Sequence, residues 1–151
     1  MITIRQAVEA DAEALCGFDL IARRESGRRD FIRRSVEAGS CYVADDGGGP
    51  IGYGVLVYSF YEHGFVEMLY VHPERRRGGA GTALLRHLES VCRTEKLFTS
   101  TNLSNLPMQS LLGREGYVLS GLIHNLDEGD PEVVYFKRLT QTRREGGRRP
   151  L

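Results

Sequence analysis

At 151 residues the chain has the length of one ordinary domain, able to bury a core without metal or disulfide and leaving no room for a second. Its 20 Lys and Arg balance 20 Asp and Glu, which excludes a global field drawing it to nucleic acid or to an anionic membrane. Cys16, Cys41 and Cys92 lack metal-ligand spacing, and no apolar run approaches the roughly 20 residues of a membrane span, so no metal site, no membrane role and a cytoplasmic location are expected.

Residues 2–6 alternate like a short strand, and residues 9–22 carry Ala12, Leu15 and Phe18 at helical spacing. A second helix is predicted over 30–38, with Phe31, Ile32, Ser35 and Val36 on one side, ended by Gly39. Residues 41–44 and 51–60 are β-rich runs joined by Asp45-Asp46-Gly47-Gly48-Gly49-Pro50, whose glycines tolerate the backbone of a turn, and so predict a hairpin. Another strand over 65–71 stops before Pro73. A helix over 81–93 places Leu84, Leu85, Leu88, Val91 and Cys92 on one stripe. A strand over 97–101, a short helix over 105–115 with Pro107 in its first turn, and a cap at Gly116 follow. Residues 117–125 and 133–139 complete a strand pair around a polar loop. The tail, residues 140–151, holds four Arg and two Gly and almost nothing apolar, and is expected to be disordered. The folded domain is therefore placed at 1–139.

The informative stretch is Val71-His72-Pro73-Glu74-Arg75-Arg76-Arg77-Gly78-Gly79-Ala80-Gly81-Thr82-Ala83-Leu84-Leu85. A strand runs into a loop with three glycines, and the loop opens an amphipathic helix. Glycines let backbone N–H groups turn towards an anion with no Cβ in the way, and a helix start adds partial positive charge. Such a loop suits a pyrophosphate. A P-loop would end in Gly-Lys-Ser/Thr where this one ends in Gly-Thr-Ala, and a dinucleotide fingerprint would have a small residue where Leu84 stands.

This run resembles the signature of the GNAT superfamily of N-acetyltransferases, Val-x-Pro followed by Arg/Gln-x-x-Gly-x-Gly/Ala, with Arg76, Gly79 and Gly81 on the motif positions and Val71, Pro73, Leu84 and Leu85 flanking them. The likeness extends to Ile4-Arg5 through Leu15, to Ile51-Gly52, and to Asn105 with Gly116-Tyr117, so it covers residues 2 to about 139. It implies an α/β fold with a mixed, mostly antiparallel sheet of six to seven strands, about four flanking helices, and fourth and fifth strands that splay apart. It also implies acetyl-CoA as cosubstrate. Arg76, Arg77, Gly78, Gly79, Ala80, Gly81 and Thr82 would bind its pyrophosphate. The main chain of Met68, Leu69, Tyr70 and Val71 would pair with the pantetheine arm as an added strand does, and Asn105 would reach it from the opposite wall. Family habit allows a homodimer, which no residue fixes.

Acyl transfer needs a neutral amine, yet an alkylammonium of pKa ~10.4 is only about one part in two thousand neutral at pH 7. A base is therefore useful. Glu67 is an acid in the middle of the apolar run Phe65-Val66-Glu67-Met68-Leu69-Tyr70-Val71, where burial would raise its pKa towards that of a working base, acting directly or through water. Its position resembles the glutamate that precedes the loop in polyamine-acetylating and related members. The family's usual general acid, a tyrosine seven residues after the late asparagine, is replaced here by Leu112. That departure motivates a second reading, a catalytically weak acyl-CoA-binding sensor. Tyr70 is a substitute donor whose ordinary job would be sheet packing. Around the acceptor the charges conflict: Asp127, Glu128, Asp130 and Glu132 would attract an amine, whereas Arg23, Arg24, Arg28 and Arg29 would favour a carboxylated one. His63, His72, His87 and His124 are scattered and receive no role.

Overall fold

A computed structural model describes residues 1–139; the tail expected to be disordered, residues 140–151, lies outside the described residues. Seven strands form one mixed sheet: β1 (Thr3–Gln6), β2 (Cys41–Asp45), β3 (Pro50–Phe60), β4 (His63–Val71), β5 (Lys96–Asn102), β6 (Val118–Ile123) and β7 (Glu132–Arg138). Their order is β1-β2-β3-β4-β5-β7-β6. The helices are α1 (Asp11–Phe18), α2 (Leu20–Arg24), α3 (Ser26–Glu37), α4 (Ala80–Val91) and α5 (Leu106–Arg114), with a 3-10 turn at Pro73–Arg75. This is the expected α/β architecture. No helix among the described residues is long and apolar enough to cross a membrane. The described residues gather in two compact units, Met1–Leu56 with Met68–Leu88, and Val57–Glu67 with residues 89–139.

In the first unit the single helix expected over 9–22 is two helices, which raises the helix count from about four to five. The break is at Asp19, whose backbone is extended and whose carboxylate accepts from the N–H groups of Ile21 and Ala22, so that it caps α2. A capped restart outweighs helical continuation here because it gives two orphan donors a charged acceptor. The strand-to-helix entry is pinned by Arg5, whose guanidinium holds Asp11 in a two-pronged pair at 2.7 and 2.9 Å and reaches Asp45 at 3.1 Å. That guanidinium, with Val8 N–H, keeps the Asp11 carboxyl below the usual range. A depressed folded-state pKa gives stability that is present above the unfolded value of about 3.9 and is lost as pH falls through the folded one. Asp11→Asn is therefore expected to flatten the acid limb of a urea-midpoint-versus-pH curve below about pH 4, and an unchanged limb would remove the pair from that account.

Helix α4 sits close on this unit's strands because two residues lack side chains. A Cβ on Gly52 would lie 3.0 Å from the Tyr70 carbonyl and 3.3 Å from Leu84, and one on Gly54 would lie 3.0 Å from Leu88. Leu84 thereby joins Ala44, Ile51 and Ala80 in a buried cluster, with Leu69 and Val71 packed against it.

In the second unit β5 pairs antiparallel with β7 along its whole length, Lys96↔Arg138 to Asn102↔Glu132. Its pairing with β4 is parallel and brief: Gly64↔Leu97, Phe65↔Phe98 and Val66↔Thr99. The ladder ends where the buried Thr99 hydroxyl donates to the Val66 carbonyl at 2.9 Å. Strand β4 continues to Val71 and β5 to Asn102, so both outrun their shared ladder, as expected for strands that splay. Glu89 receives the Tyr117 hydroxyl and the Lys137 ammonium, each at 2.9 Å.

Candidate active site

The glycine-rich loop belongs to the first unit and is held at its ends. The His72 Nδ1 accepts from Glu74 N–H at 3.1 Å, Arg75 pairs with Asp46, and Arg76 Nε donates to the Val71 carbonyl at 3.2 Å. The Arg76 guanidinium also lies 5.3 Å from the centre of the Tyr70 ring. Between these anchors the backbone turns left-handed twice, at Arg77 (φ 67°) and Gly79 (φ 88°). Gly79 supplies this without strain, and a Cβ there would face open space. Among the described residues the main-chain N–H groups of 76–82 donate to no protein acceptor; the first that does is Ala83, to the Gly79 carbonyl at 3.0 Å. Residues Arg76 to Gly79 are exposed, whereas Ala80 is buried and fixes the helix start. The loop is thus a row of donors without protein acceptors at the positive end of a helix, an arrangement suited to a diphosphate.

Strand β4 leads into this loop through Met68, Leu69, Tyr70 and Val71, all half-buried. The Tyr70 hydroxyl accepts from Leu20 N–H at 3.1 Å, and its ring is stacked on Phe18 at 6.2 Å. That packing is the ordinary role. Beneath lies a buried polar group absent from the sequence reading. Asp19, fully buried, accepts from Arg28 at 3.0 Å and from the Tyr53 hydroxyl at 2.6 Å, and the same Arg28 nitrogen meets Met68 Sδ at 3.3 Å. Burial, then the neighbouring carboxylate, pushes the Tyr53 phenol well above its ordinary range. The signal in the sequence was Asp19 itself, an N-cap residue three positions before Ala22 inside an otherwise helical pattern.

The arginines near this segment are mostly committed internally. Arg28 serves Asp19, Arg29 donates to the Ala22 carbonyl at 2.6 Å, and Arg23 to the Gly17 carbonyl at 2.5 Å. Arg24 is exposed and has no partner among the described residues, and Arg23 is exposed beside it.

In the second unit Glu67 is exposed and, among the described residues, forms no hydrogen bond or ion pair. The burial expected for it is therefore absent. Its neighbour Val66 takes the inward position, 2% exposed, and the burial alternation of β4 stops at Glu67. Asn105 is exposed and caps α5, its Oδ1 accepting from Met108 N–H at 3.2 Å, which leaves the side-chain NH2 as its available donor. Leu112 is completely buried. Two of the four acidic loop residues are engaged: Asp127 accepts from Asn102 at 2.8 Å, and Asp130 from Ser104 N–H at 3.0 Å and its hydroxyl at 2.6 Å. Half of the acidic rim thus ties its loop to the end of β5 and to Ser104 just beyond it.

The description "Acetyltransferase (GNAT) family" belongs to the family model that matches residues 7–117. Among solved structures, an acetyltransferase of the GNAT family from Bacillus cereus is 30% identical, with 93% of this chain and 99% of that one covered and a TM-score of 0.87. A ribosomal-protein-alanine N-acetyltransferase from Brucella melitensis is 22% identical over 91% of this chain and 99% of that one, with a TM-score of 0.73. The protein yncA from Salmonella typhimurium, whose structure holds its cofactor acetyl-CoA, is 19% identical over 93% and 95%, with a TM-score of 0.74. The last two carry the likeness of fold alone. No curated protein matches the sequence.

Proposed function

This chain belongs to the GNAT acetyltransferase family, and on that premise we propose that it transfers the acetyl group of acetyl-CoA to a primary amine. The single observation that carries the reading is the row of unpartnered N–H groups from Arg76 to Thr82, bent by left-handed Arg77 and Gly79 into the start of α4. We assign the diphosphate to this row, through Arg76, Arg77, Gly78, Gly79, Ala80, Gly81 and Thr82. The Arg77 guanidinium, which has no partner among the described residues, adds a charge-assisted contact. The pantetheine arm is assigned to the main chain of Met68, Leu69, Tyr70 and Val71, and to the side-chain amide of Asn105. Bound acetyl-CoA supplies the activated thioester; the protein's part is to hold it and manage protons.

Glu67 is assigned the base. An exposed, unpartnered carboxylate accepts a proton from an ammonium directly or through one water, the neutral amine then attacks the thioester carbon, and the second proton on that nitrogen passes to water as the carbon–sulfur bond breaks. The leaving thiolate, with a pKa of about 8.5 as a free thiol, departs near neutrality without an acid, which is consistent with Leu112 at the position where the resemblance expects a tyrosine. That same leucine supports the second reading, a weak acyl-CoA sensor, and turnover separates the two.

The test is calorimetric titration with acetyl-CoA, followed by thiol release over a broad panel of amines. Binding with release is expected; binding with no thiol from any amine would leave the sensor, and no binding would end both readings. Gly79→Val serves as the internal control. A side chain forced to positive φ costs about 1–2 kcal/mol, so acetyl-CoA affinity is expected to fall about tenfold while the far-ultraviolet spectrum stays unchanged. An unaltered Kd would mean that the loop does not hold the diphosphate.

A further inference from the structure

The second unit carries an aromatic row that holds none of the residues assigned to the cosubstrate. Cross-strand register sets Phe65 on β4 beside Phe98 on β5, and Phe98 beside Phe136 on β7. Phe60 of β3 lies on both of the first two, 4.9 Å from Phe65 and 5.0 Å from Phe98, and Phe98 lies 5.7 Å from Phe136. All four rings are only half-buried. Such rings on the inward face of a sheet would be covered, as Leu97, Thr99 and Thr101 of the same β5 strand are; alternation puts Phe98 on the opposite face from these. A contiguous, partly exposed apolar patch of flat side chains is the kind of surface that marks a binding site.

What such a face binds is constrained by the charge beside it. Glu67 follows Phe65 by two residues on β4, is exposed, and has no cation among the described residues. An apolar row with a free carboxylate at its end is complementary to a cationic head on an apolar body. We propose that the amine acceptor is a primary amine carried on an aromatic or similarly flat apolar group, its ring lying on Phe65, Phe98 and Phe60 and its ammonium directed to Glu67. This rests on the acetyltransferase reading and narrows its substrate class. It disfavours polyamines, whose several charges would have to lie on the rings, and small hydrophilic amines, which leave the rings wet.

The experiment compares phenethylamine and tyramine with ethanolamine and spermidine by thiol release at saturating acetyl-CoA. The aromatic amines are expected to show kcat/KM at least about tenfold above the other two, from the apolar area that their rings bury. Phe98→Ala is expected to raise KM for phenethylamine about tenfold and to leave KM for acetyl-CoA unmoved; Phe98→Leu, which keeps the volume, guards against a folding defect and should lie between the two. Thiol release from ethanolamine or spermidine with equal or better efficiency overturns this proposal and leaves the acetyltransferase standing. Failure of acetyl-CoA to bind overturns the acetyltransferase itself. A dimer by sedimentation that Phe136→Asp dissociates, with phenethylamine kinetics unchanged, would assign the row to a second copy of the chain and sink the acceptor site.

Discussion

Glu67→Gln is expected to lower kcat by roughly a hundredfold or more, within the usual range for loss of a positioned base, while acetyl-CoA binds as before. Glutamine keeps the size and the polarity of the exposed side chain but cannot hold a proton taken from an ammonium. Glu67 has no partner among the described residues, so no structural ion pair is broken and the thermal midpoint should move little. The discriminating measurement is the pH profile. Above about pH 9 a growing share of an alkylamine of pKa ~10.4 is already neutral, so the deficit of the variant should shrink as pH rises. A deficit that is constant with pH would make Glu67 a binding group for the ammonium; no deficit at all would return the base to another residue and revive the sensor reading.

Asp19→Ala is expected to cost about 3–5 kcal/mol of folding stability, the range for removing one partner of a buried ion pair. Three losses act at once. Arg28, with its side chain 16% exposed, is left without its carboxylate, the buried Tyr53 hydroxyl loses its acceptor, and α2 loses its cap. They share one side chain and do not add. Asp19→Asn should cost less because an amide oxygen can still cap the helix. A urea midpoint barely displaced by the alanine would show that the pair contributes nothing net, as some buried pairs do. The raised phenol of Tyr53 adds a second signature. Its stability is present below the unfolded value of about 10 and falls away as pH rises past it, a decline that Tyr53→Phe should remove.

The parts of the fold that were legible in the sequence are those governed by local chemistry. The glycines between β2 and β3 predict a turn, and Gly47 and Gly49 do adopt positive φ. Spacing predicts the loop after β4, and the stripe of Leu84, Leu85 and Leu88, all completely buried, predicts helix α4. Gly116 as a cap, at φ 85°, belongs to the same class. What could not be read depends on partners far along the chain. The split between α1 and α2 is settled by Arg28 and by Tyr53, 34 residues from Asp19. The exposure of Glu67 reflects a ladder that ends at Val66, and period-two logic cannot say where a strand loses its neighbour. Likewise, four phenylalanines on four strands become one row only through register.

The left-handed turn at Gly79 and the anchors around it bear on kinetics as well as affinity. With Arg75 held by Asp46, Arg76 held by Val71 and the amides already unpaired, little rearrangement stands between an arriving nucleotide and its seat. Association should therefore be a single fast phase whose observed rate climbs linearly with cosubstrate concentration, without the plateau that a slow preceding isomerisation would impose.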